Sequence, residues 1–448
     1  MTERKRKGVN LRFSVSRTFI HQLLNAGLAL QREHNGPGER YEGNVIECEW
    51  GSSLMITRRQ FTLLATAFAS ATLAGCSQSL PRMAVPEPLL NDAKLSGFTD
   101  IRFWGDAQPD NLDKLVRMAV AQRAQFRASP GQQSHTFLAI SGGGSDGAYG
   151  AGLLAGWSKS GARPEFDIVT GVSTGALISP FAFLGSGYDP QLREIYTRYS
   201  TKDILRSDVI GGLLGGPSLA DATPFEMLIA KYVTDDFIQA VAREHRTGRR
   251  LLVGTTNIDA QRPVIWDMGA IAASGRPEAP ALFRKILQAS ASLPGQFPPV
   301  RLVVQADGKT YDELHVDGGV TSQVFFLPTQ IMLRSVSLNH GISLNQKLYV
   351  IRNGQITPHY QVIEAKLTVI AERSLSTVAK YQANGELDAL YDRAQRDGLT
   401  YNLAYIPATF SVPSKEVFDR DYMVALYRTG YLIGRKGGGW QLKPPVAV

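Results

Sequence analysis

A short apolar run, Thr136–Ile140, opens directly into Ser141-Gly142-Gly143-Gly144-Ser145-Asp146-Gly147. Three successive glycines interrupt regular structure, because glycine loses more backbone freedom on ordering than any other residue. The run therefore predicts a strand that stops at Ile140, a turn, and a small-residue helix over Ala148–Ser160. The same grammar then repeats. A second strand over Phe166–Thr170 ends in Gly171-Val172-Ser173-Thr174-Gly175, and an apolar helix over Ala176–Leu184 follows. Two strand–turn–helix units in succession predict an α/β fold, a parallel sheet covered by helices.

Further strands are expected at Leu251–Thr256, Val264–Trp266 and His315–Val316. The spacing of Leu112, Leu115, Val116, Val120 and Phe126 predicts a helix over Leu112–Arg127. Tyr360–Tyr391 reads as helical, and Ser414 as the N-cap of another helix running to about Ile433. This gives one α/β domain over residues 131–330 and a mainly helical C-terminal part, 331–448, packed on it. A length of 448 residues, 44% of them hydrophobic and 20% charged, supplies a core and excludes wholesale disorder. Two cysteines exclude both a disulfide framework and a Cys-rich zinc site.

The net charge of +8 points to an anionic partner only where it is concentrated. Residues 1–75 hold ten Lys and Arg against six Asp and Glu, half of the excess, and residues 1–54 have no sustained period. From Met55 the chain reads MITRRQFTLLATAFASATLAGCSQ. Arg58 and Arg59 form a positive n-region, and small residues precede Cys76. The apolar stretch Phe61–Gly75 between them is too short to span a ~30 Å hydrocarbon core comfortably. Leu73-Ala74-Gly75-Cys76 resembles a bacterial lipobox, whose cysteine is diacylated and becomes the new N-terminus. Thr57–Phe61 resembles a twin-arginine export signal. Residues 55–75 are thus expected to be a lipoprotein signal peptide, and 76–130 a lipid-anchor tether and N-terminal helix. Residues 1–54 then form an over-extended, unstructured N-terminus ahead of a true start at Met55. Ser77 stands where an aspartate would favour inner-membrane retention, so the expected location is the outer membrane of a bacterial envelope, facing the periplasm. Half of the basic excess then falls in the discarded segment, and no nucleic-acid partner is expected. A buried apolar helix in which Cys76 merely packs is the alternative.

Gly142–Gly147 satisfies the G-x-G-x-x-G pattern of dinucleotide-binding turns. That reading needs an acidic residue at the far end of the second strand, to hold a ribose. Asp167 lies at the beginning of that strand and the far end carries Thr170, so nucleotide binding is set aside. Gly171–Gly175 is G-x-S-x-G between a strand and a helix, the setting of a nucleophile elbow with Ser173 pushed out at the sheet's carboxyl edge. Gly142, Gly143 and Gly144 leave backbone N–H groups unshielded at a helix N-terminus, which suits the oxyanion of a tetrahedral intermediate. A tight turn that binds no anion is the alternative there. A serine nucleophile also needs a base. His245, His315, His340 and His359 have no motif around them, whereas His315-Val316-Asp317-Gly318-Gly319-Val320 places a carboxylate at a strand end. Asp317 would need burial to raise its pKa, or direct contact with the hydroxyl. A plain Asp-Gly-Gly turn is the other reading.

Gly-Gly-Gly-x-x-Gly after a strand, Gly-x-Ser-x-Gly further on and a later Asp-Gly-Gly together resemble the patatin-like phospholipases. Thr255-Thr256-Asn257-Ile258-Asp259 and Ala289–Pro299 are similar to blocks of that family's bacterial members, and the resemblance covers about 136–330. It implies a three-layer fold with a mainly parallel central sheet flanked by helices. It also implies a Ser-Asp dyad with Ser173 as nucleophile and Asp317 as base, an oxyanion hole from Gly142, Gly143 and Gly144, and no metal or organic cofactor. The implied activity is hydrolysis of fatty-acyl esters of phospholipids through an acyl-enzyme, at a membrane reached through the lipid on Cys76. Acyl transfer to a lipid alcohol, and a non-catalytic lipid-binding envelope lipoprotein, are the alternatives. One departure stands out. Family members often carry Arg or Lys inside the glycine motif, where this chain has Asp146, which is expected to point outward and cap the helix.

Smaller clusters read as structural. Arg243-Glu244-His245-Arg246 with Arg249 and Arg250 is expected to be a solvated face, with anionic headgroup contact as the alternative. His315 shares a strand face with Asp317 and reads as a structural histidine, a supporting role beside Asp317 being the alternative. Tyr422, Met423, Leu426, Tyr427, Tyr431, Leu432 and Ile433 are expected to pack in the core rather than form an interfacial helix.

Overall fold

The computed structural model describes residues 82–126, 134–207 and 220–445. Residues 1–54, the signal segment 55–75, Cys76 and residues 77–81 of the expected tether lie outside the described residues. The strands are β1 (Arg102–Trp104), β2 (Ser134–Ile140), β3 (Ile168–Val172), β4 (Arg206–Ser207), β5 (Ala220–Asp221) and β6 (Arg250–Asn257). They continue with β7 (Arg262–Asp267), β8 (Val300–Ala306), β9 (Lys309–Asp317), β10 (Asn345–Arg352) and β11 (Thr400–Tyr405). The main helices are α1 (Leu112–Phe126), α2 (Gly147–Lys159), α3 (Thr174–Leu184), α4 (Asp189–Arg198), α5 (Thr223–Tyr232) and α6 (Asp235–Arg246). Then follow α7 (Met268–Ala273), α8 (Ala279–Ser290), α9 (Leu333–Asn339), α10 (Leu367–Asp397) and α11 (Arg420–Arg435).

β6, β3, β2, β10 and β11 run parallel in that order, and β7, β1 and the β8–β9 hairpin add antiparallel edges on the β6 side. Helices cover both faces. Leu138 and Ile140 of β2 enter one core with α2, α3 and α8, while Phe137 and Ala139 face a second core with Val324, Phe326 and Leu387 of α10. A strand buried on both sides reads as a continuous apolar run, which is why Thr136–Ile140 shows no alternation. The expected three-layer α/β fold is the observed one.

The differences from expectation are local. β3 starts later than Phe166 and runs on to Val172, so Ser173 leaves the sheet directly at the strand's end. The C-terminal part supplies helices as expected, and β10 and β11 besides, which complete the same sheet. β10 begins Asn345-Gln346-Lys347, and this polar start hid it. α10 begins at Leu367 rather than Tyr360. The cap of α11 is Asp419, not Ser414: the Asp419 carboxylate accepts from the N–H groups of Asp421 and Tyr422, whereas Ser414 Oγ donates to the Glu416 carbonyl. The expected tether is not free where it is described. Arg82 pairs with Asp259 and Asp312, and Met83 N–H donates to the Asp312 carboxylate, which seats the chain on β9.

α2 and α11 approach backbone to backbone. A Cβ added at Gly152 would lie 2.1 Å from the Tyr427 carbonyl oxygen, and one at Gly430 would lie 2.2 Å from that of Tyr149. Met423, Leu426 and Tyr427 are buried at this contact, so the tyrosine-rich segment of α11 packs in the core as expected, with Leu432 left outside. Among the described residues no helix is long and apolar enough to cross a membrane.

Gly430→Leu is therefore expected to destabilise the fold by about 3 kcal/mol or more, since the backbone it meets has no room to yield. Gly385→Ala, in α10 with open space around it, is expected to add about 0.5–1 kcal/mol. Urea unfolding midpoints of the two variants check both signs.

Candidate active site

The register of β6 brings two distant segments together. Val172, the last residue of β3, pairs with Gly254, and the next residue of β6, Thr255, pairs with Asp317 at the end of β9. Beyond the end of β3, therefore, the same edge of β6 is taken over by β9. Ser173 Oγ donates to Asp317 Oδ2 at 2.6 Å, and the other carboxylate oxygen accepts from Gly319 N–H at 2.7 Å. Three of the four downstream histidines are engaged elsewhere: His245 beside Asp267, His315 between Thr255 and Glu313, His340 beside Asp113.

Ser173 sits at φ 55° and ψ −126°, a conformation that non-glycine residues seldom adopt. Close packing on either side enforces it. A Cβ at Gly171 would lie 2.3 Å from the Gly175 carbonyl oxygen, and one at Gly175 would lie 2.2 Å from that of Ile140. Ser290 adds a strut: its hydroxyl accepts from Ser173 N–H and donates to the Gly254 carbonyl. The elbow is held from below as well as from its flanks.

The three glycines differ. Gly142 is buried, and its N–H donates to the Gln323 carbonyl at 2.9 Å. Gly143 and Gly144 are exposed, and their N–H groups have no acceptor among the described residues. The free donors are thus Gly143 and Gly144, while Gly142 spaces the loop against Ser173. Behind the loop, Asn353 donates from its backbone N–H to Ser141 Oγ and from its side chain to the Ser141 carbonyl. The Asn353 carbonyl leaves no room for a side chain at Gly143, where a Cβ would lie 2.1 Å away. Arg352, buried at the end of β10, donates to Ser141 Oγ and the Gly142 carbonyl.

Asp146 corrects the expectation of an outward-facing cap. It stands at the N-cap position of α2, but its carboxylate makes no cap hydrogen bond and instead accepts from the hydroxyl of Tyr422 on α11. Burial raises its pKa, while Tyr422, Arg352 and Lys380 pull the other way. The cation near the glycine loop comes from β10, as Arg352, rather than from the loop itself.

Burial dominates Asp317 too. It lifts the carboxyl from 3.8 to about 6, against the opposing hydrogen bonds from Ser173 and Gly319. Gln323 joins the halves of the site, since its carbonyl takes Gly142 N–H and its side-chain amide donates to the Gly319 carbonyl. Glu386 of α10 fixes that turn by accepting from the N–H groups of Gln323 and Val324. Ser290, Gln323, Arg352, Asn353 and Glu386 were not singled out from sequence. Ser290 lies inside the recognisable 289–299 block, but the other four carry no local motif.

Two of the smaller readings resolve. His315 is a structural residue, buried between Thr255 and Glu313, with Arg102 closing the network onto Glu313. The basic cluster is a solvated face only in part, because Arg249, Arg250 and His245 turn inward. Arg249 donates to the carbonyls of Phe166 and Phe183, Arg250 to that of His245, so the cations satisfy chain ends. Asp167 pairs with Arg123 and His135 at the opposite end of β3 from Ser173, away from any site for a ribose. Among the described residues no group of His, Cys, Asp and Glu is arranged to hold a metal ion.

A serine hydroxyl on a strained strand–helix turn, a buried carboxylate on it and open N–H donors beside it are the groups that nucleophilic acyl chemistry requires. Residues 138–329 match the family model described as Patatin-like phospholipase, so this segment is a patatin-like phospholipase domain. VipD from Legionella pneumophila is similar at 12% identity, over 68% of this chain and 67% of its own, with a TM-score of 0.30. Human GIVD cytosolic phospholipase A2 is similar at 10% identity, over 70% of this chain and 55% of its own, with a TM-score of 0.30. No curated protein matches the chain.

Because folding raises the Asp317 pKa, the folded chain holds that proton more tightly than the unfolded one. Its contribution to stability is present below about pH 4 and lost as pH rises to about 6. Asp317→Asn removes the buried charge. It is expected to be more stable than wild type at pH 8, by about 2–3 kcal/mol, and to lose that advantage below pH 4. Urea midpoints at the two pH values decide; equal differences at both would contradict the burial effect.

Proposed function

We propose that the protein is a serine acyl hydrolase that cleaves fatty-acyl esters of phospholipids through a Ser173–Asp317 dyad and an acyl-enzyme. The observation that carries this reading is the 2.6 Å hydrogen bond from Ser173 Oγ to a carboxylate whose burial moves it toward neutrality. The patatin-like phospholipase domain supports lipid esters as the substrate class.

In this mechanism Ser173 Oγ attacks the ester carbonyl carbon while Asp317 Oδ2 takes the hydroxyl proton. The carbonyl oxygen becomes an oxyanion and receives the N–H groups of Gly143 and Gly144, donors aimed at charge that exists only along the reaction path. Collapse expels the lipid alcohol, protonated by Asp317, and leaves the acyl group on Ser173. Water then attacks with Asp317 again as base, releasing the fatty acid and restoring the serine. Arg352 and Asn353 keep the loop carbonyls turned away from the oxyanion. Lipid attachment at Cys76, and a position on the outer membrane facing the periplasm, belong to the same proposal and rest on the Leu73–Cys76 sequence and on Ser77 after it.

Ser173→Ala and Asp317→Asn, each confirmed folded by circular dichroism, are expected to lower kcat by about 10^4-fold on a soluble ester. Wild-type turnover by either variant would sink the dyad. The acidic limb of kcat/KM is expected to rise through an apparent pKa of about 6, because the base must be ionised. Gly143→Ala, which keeps the N–H but drives a Cβ into the Asn353 carbonyl, is expected to displace the loop and lower kcat by about 10^2 to 10^3.

A further inference from the structure

α10 has two halves with opposite habits. Ala383, Leu387, Leu390 and Ala394 are buried against the sheet. Leu367, Ile370, Leu375, Val378 and Tyr381, in the first half, are between 44% and 83% exposed. At 3.6 residues per turn these five fall within about 140° of one another, centred on the side opposite the buried four. On the inner side of the first half Arg373 donates to the His359 carbonyl and Lys380 to the Thr357 carbonyl, beside half-buried Val369 and Ala379. The first half therefore leaves an apolar stripe facing the surroundings, where an ordinary surface helix is polar. Tyr360 and Val362, just before it, are also exposed and extend the apolar surface.

The stripe lies on the helix that braces the site. Glu386 holds the Gln323 turn that touches both Gly142 and Gly319. From Glu386 the stripe runs N-terminally along the axis from about 8 Å at Tyr381 to about 28 Å at Leu367, at 1.5 Å per residue. Lys380, at the C-terminal end of this half, lies near enough to Asp146 and Arg352 for each to affect its charge. The cavity against the dyad's strands, lined by Val172, Gly254, Gly318 and Phe325, is only about 60 Å³.

We propose that the outward stripe of α10 is the surface on which the protein docks to the lipid layer carrying its substrate. This rests on the lipid-ester reading of the Ser173 site. An apolar stripe, with tyrosines toward its ends, suits insertion at the boundary of headgroups and acyl chains. Its place on the helix that braces the Gln323 turn would hold the site at that boundary, where an acyl ester is presented. The Glu386 contact ties the docked helix to both the oxyanion loop and the Asp317 turn.

The test compares the full chain with a variant carrying Leu367→Gln, Ile370→Gln, Leu375→Gln and Val378→Gln. Both carry Cys76→Ser, so that no lipid on Cys76 contributes. Glutamine keeps helix propensity while removing apolar surface. Flotation with phosphatidylcholine–phosphatidylglycerol vesicles is expected to recover the parent and at least tenfold less of the variant. Hydrolysis of vesicle phospholipid is expected to fall at least tenfold, with hydrolysis of a soluble short-chain ester within twofold. Equal flotation of the two proteins, or no flotation of the parent, overturns the docking surface. So does a parent that is dimeric by light scattering and a variant that is monomeric, because the stripe then covers a second copy. A parent that floats through the stripe yet hydrolyses neither ester upholds docking and refutes the hydrolase reading instead.

Discussion

Two consecutive residues of β6 decide where the chemistry sits. Gly254 pairs with the residue before Ser173, and Thr255 pairs with Asp317 itself. A nucleophile and a carboxylate 144 residues apart in sequence thus become neighbours through one strand's register. A slip of one residue would turn Asp317 to the other face of the sheet. The same register buries the carboxylate, and that burial lifts its pKa toward the range where it can both accept and return a proton. Position and basicity have one cause.

Everything around the pair limits its freedom. Ser290 braces the elbow from α8, and Asn353 with Arg352 braces the glycine loop from β10. Gln323 connects the two halves, and Glu386 holds Gln323 from α10. Donors and acceptors held this way need little reorganisation during reaction, where electrostatic stabilisation has most effect. The strained Ser173 backbone persists because the strand before it and the helix after it leave no alternative path.

Much of this was legible in the sequence, for stated reasons. Gly-rich turns after apolar runs announced β2 and β3 and the helices after them; Ser173 stood out inside Gly-x-Ser-x-Gly after a strand, and Asp317 at a strand end before two glycines. What escaped depends on tertiary context. β10 starts polar and is apolar only where it is covered on both sides, and Gln323, Arg352, Asn353 and Glu386 act through long-range hydrogen bonds that no local pattern encodes. Gly142 reads like its neighbours, and only the Gln323 carbonyl distinguishes it. Asp146 could be taken for a cap because its partner, Tyr422, lies 276 residues away. α10 hid its character for another reason: its apolar residues lie on opposite sides in its two halves, so along the whole helix they share no single face.

The claim that Ser173 carries the acyl group is tested most directly by rapid acid quench of the full chain with a long-chain acyl ester, followed by mass spectrometry. A mass increase equal to the acyl group, on the peptide bearing Ser173 and absent in Ser173→Ala, is the expected result. Undiminished ester hydrolysis by Ser173→Ala, or turnover with an acyl adduct on some other residue, would contradict it.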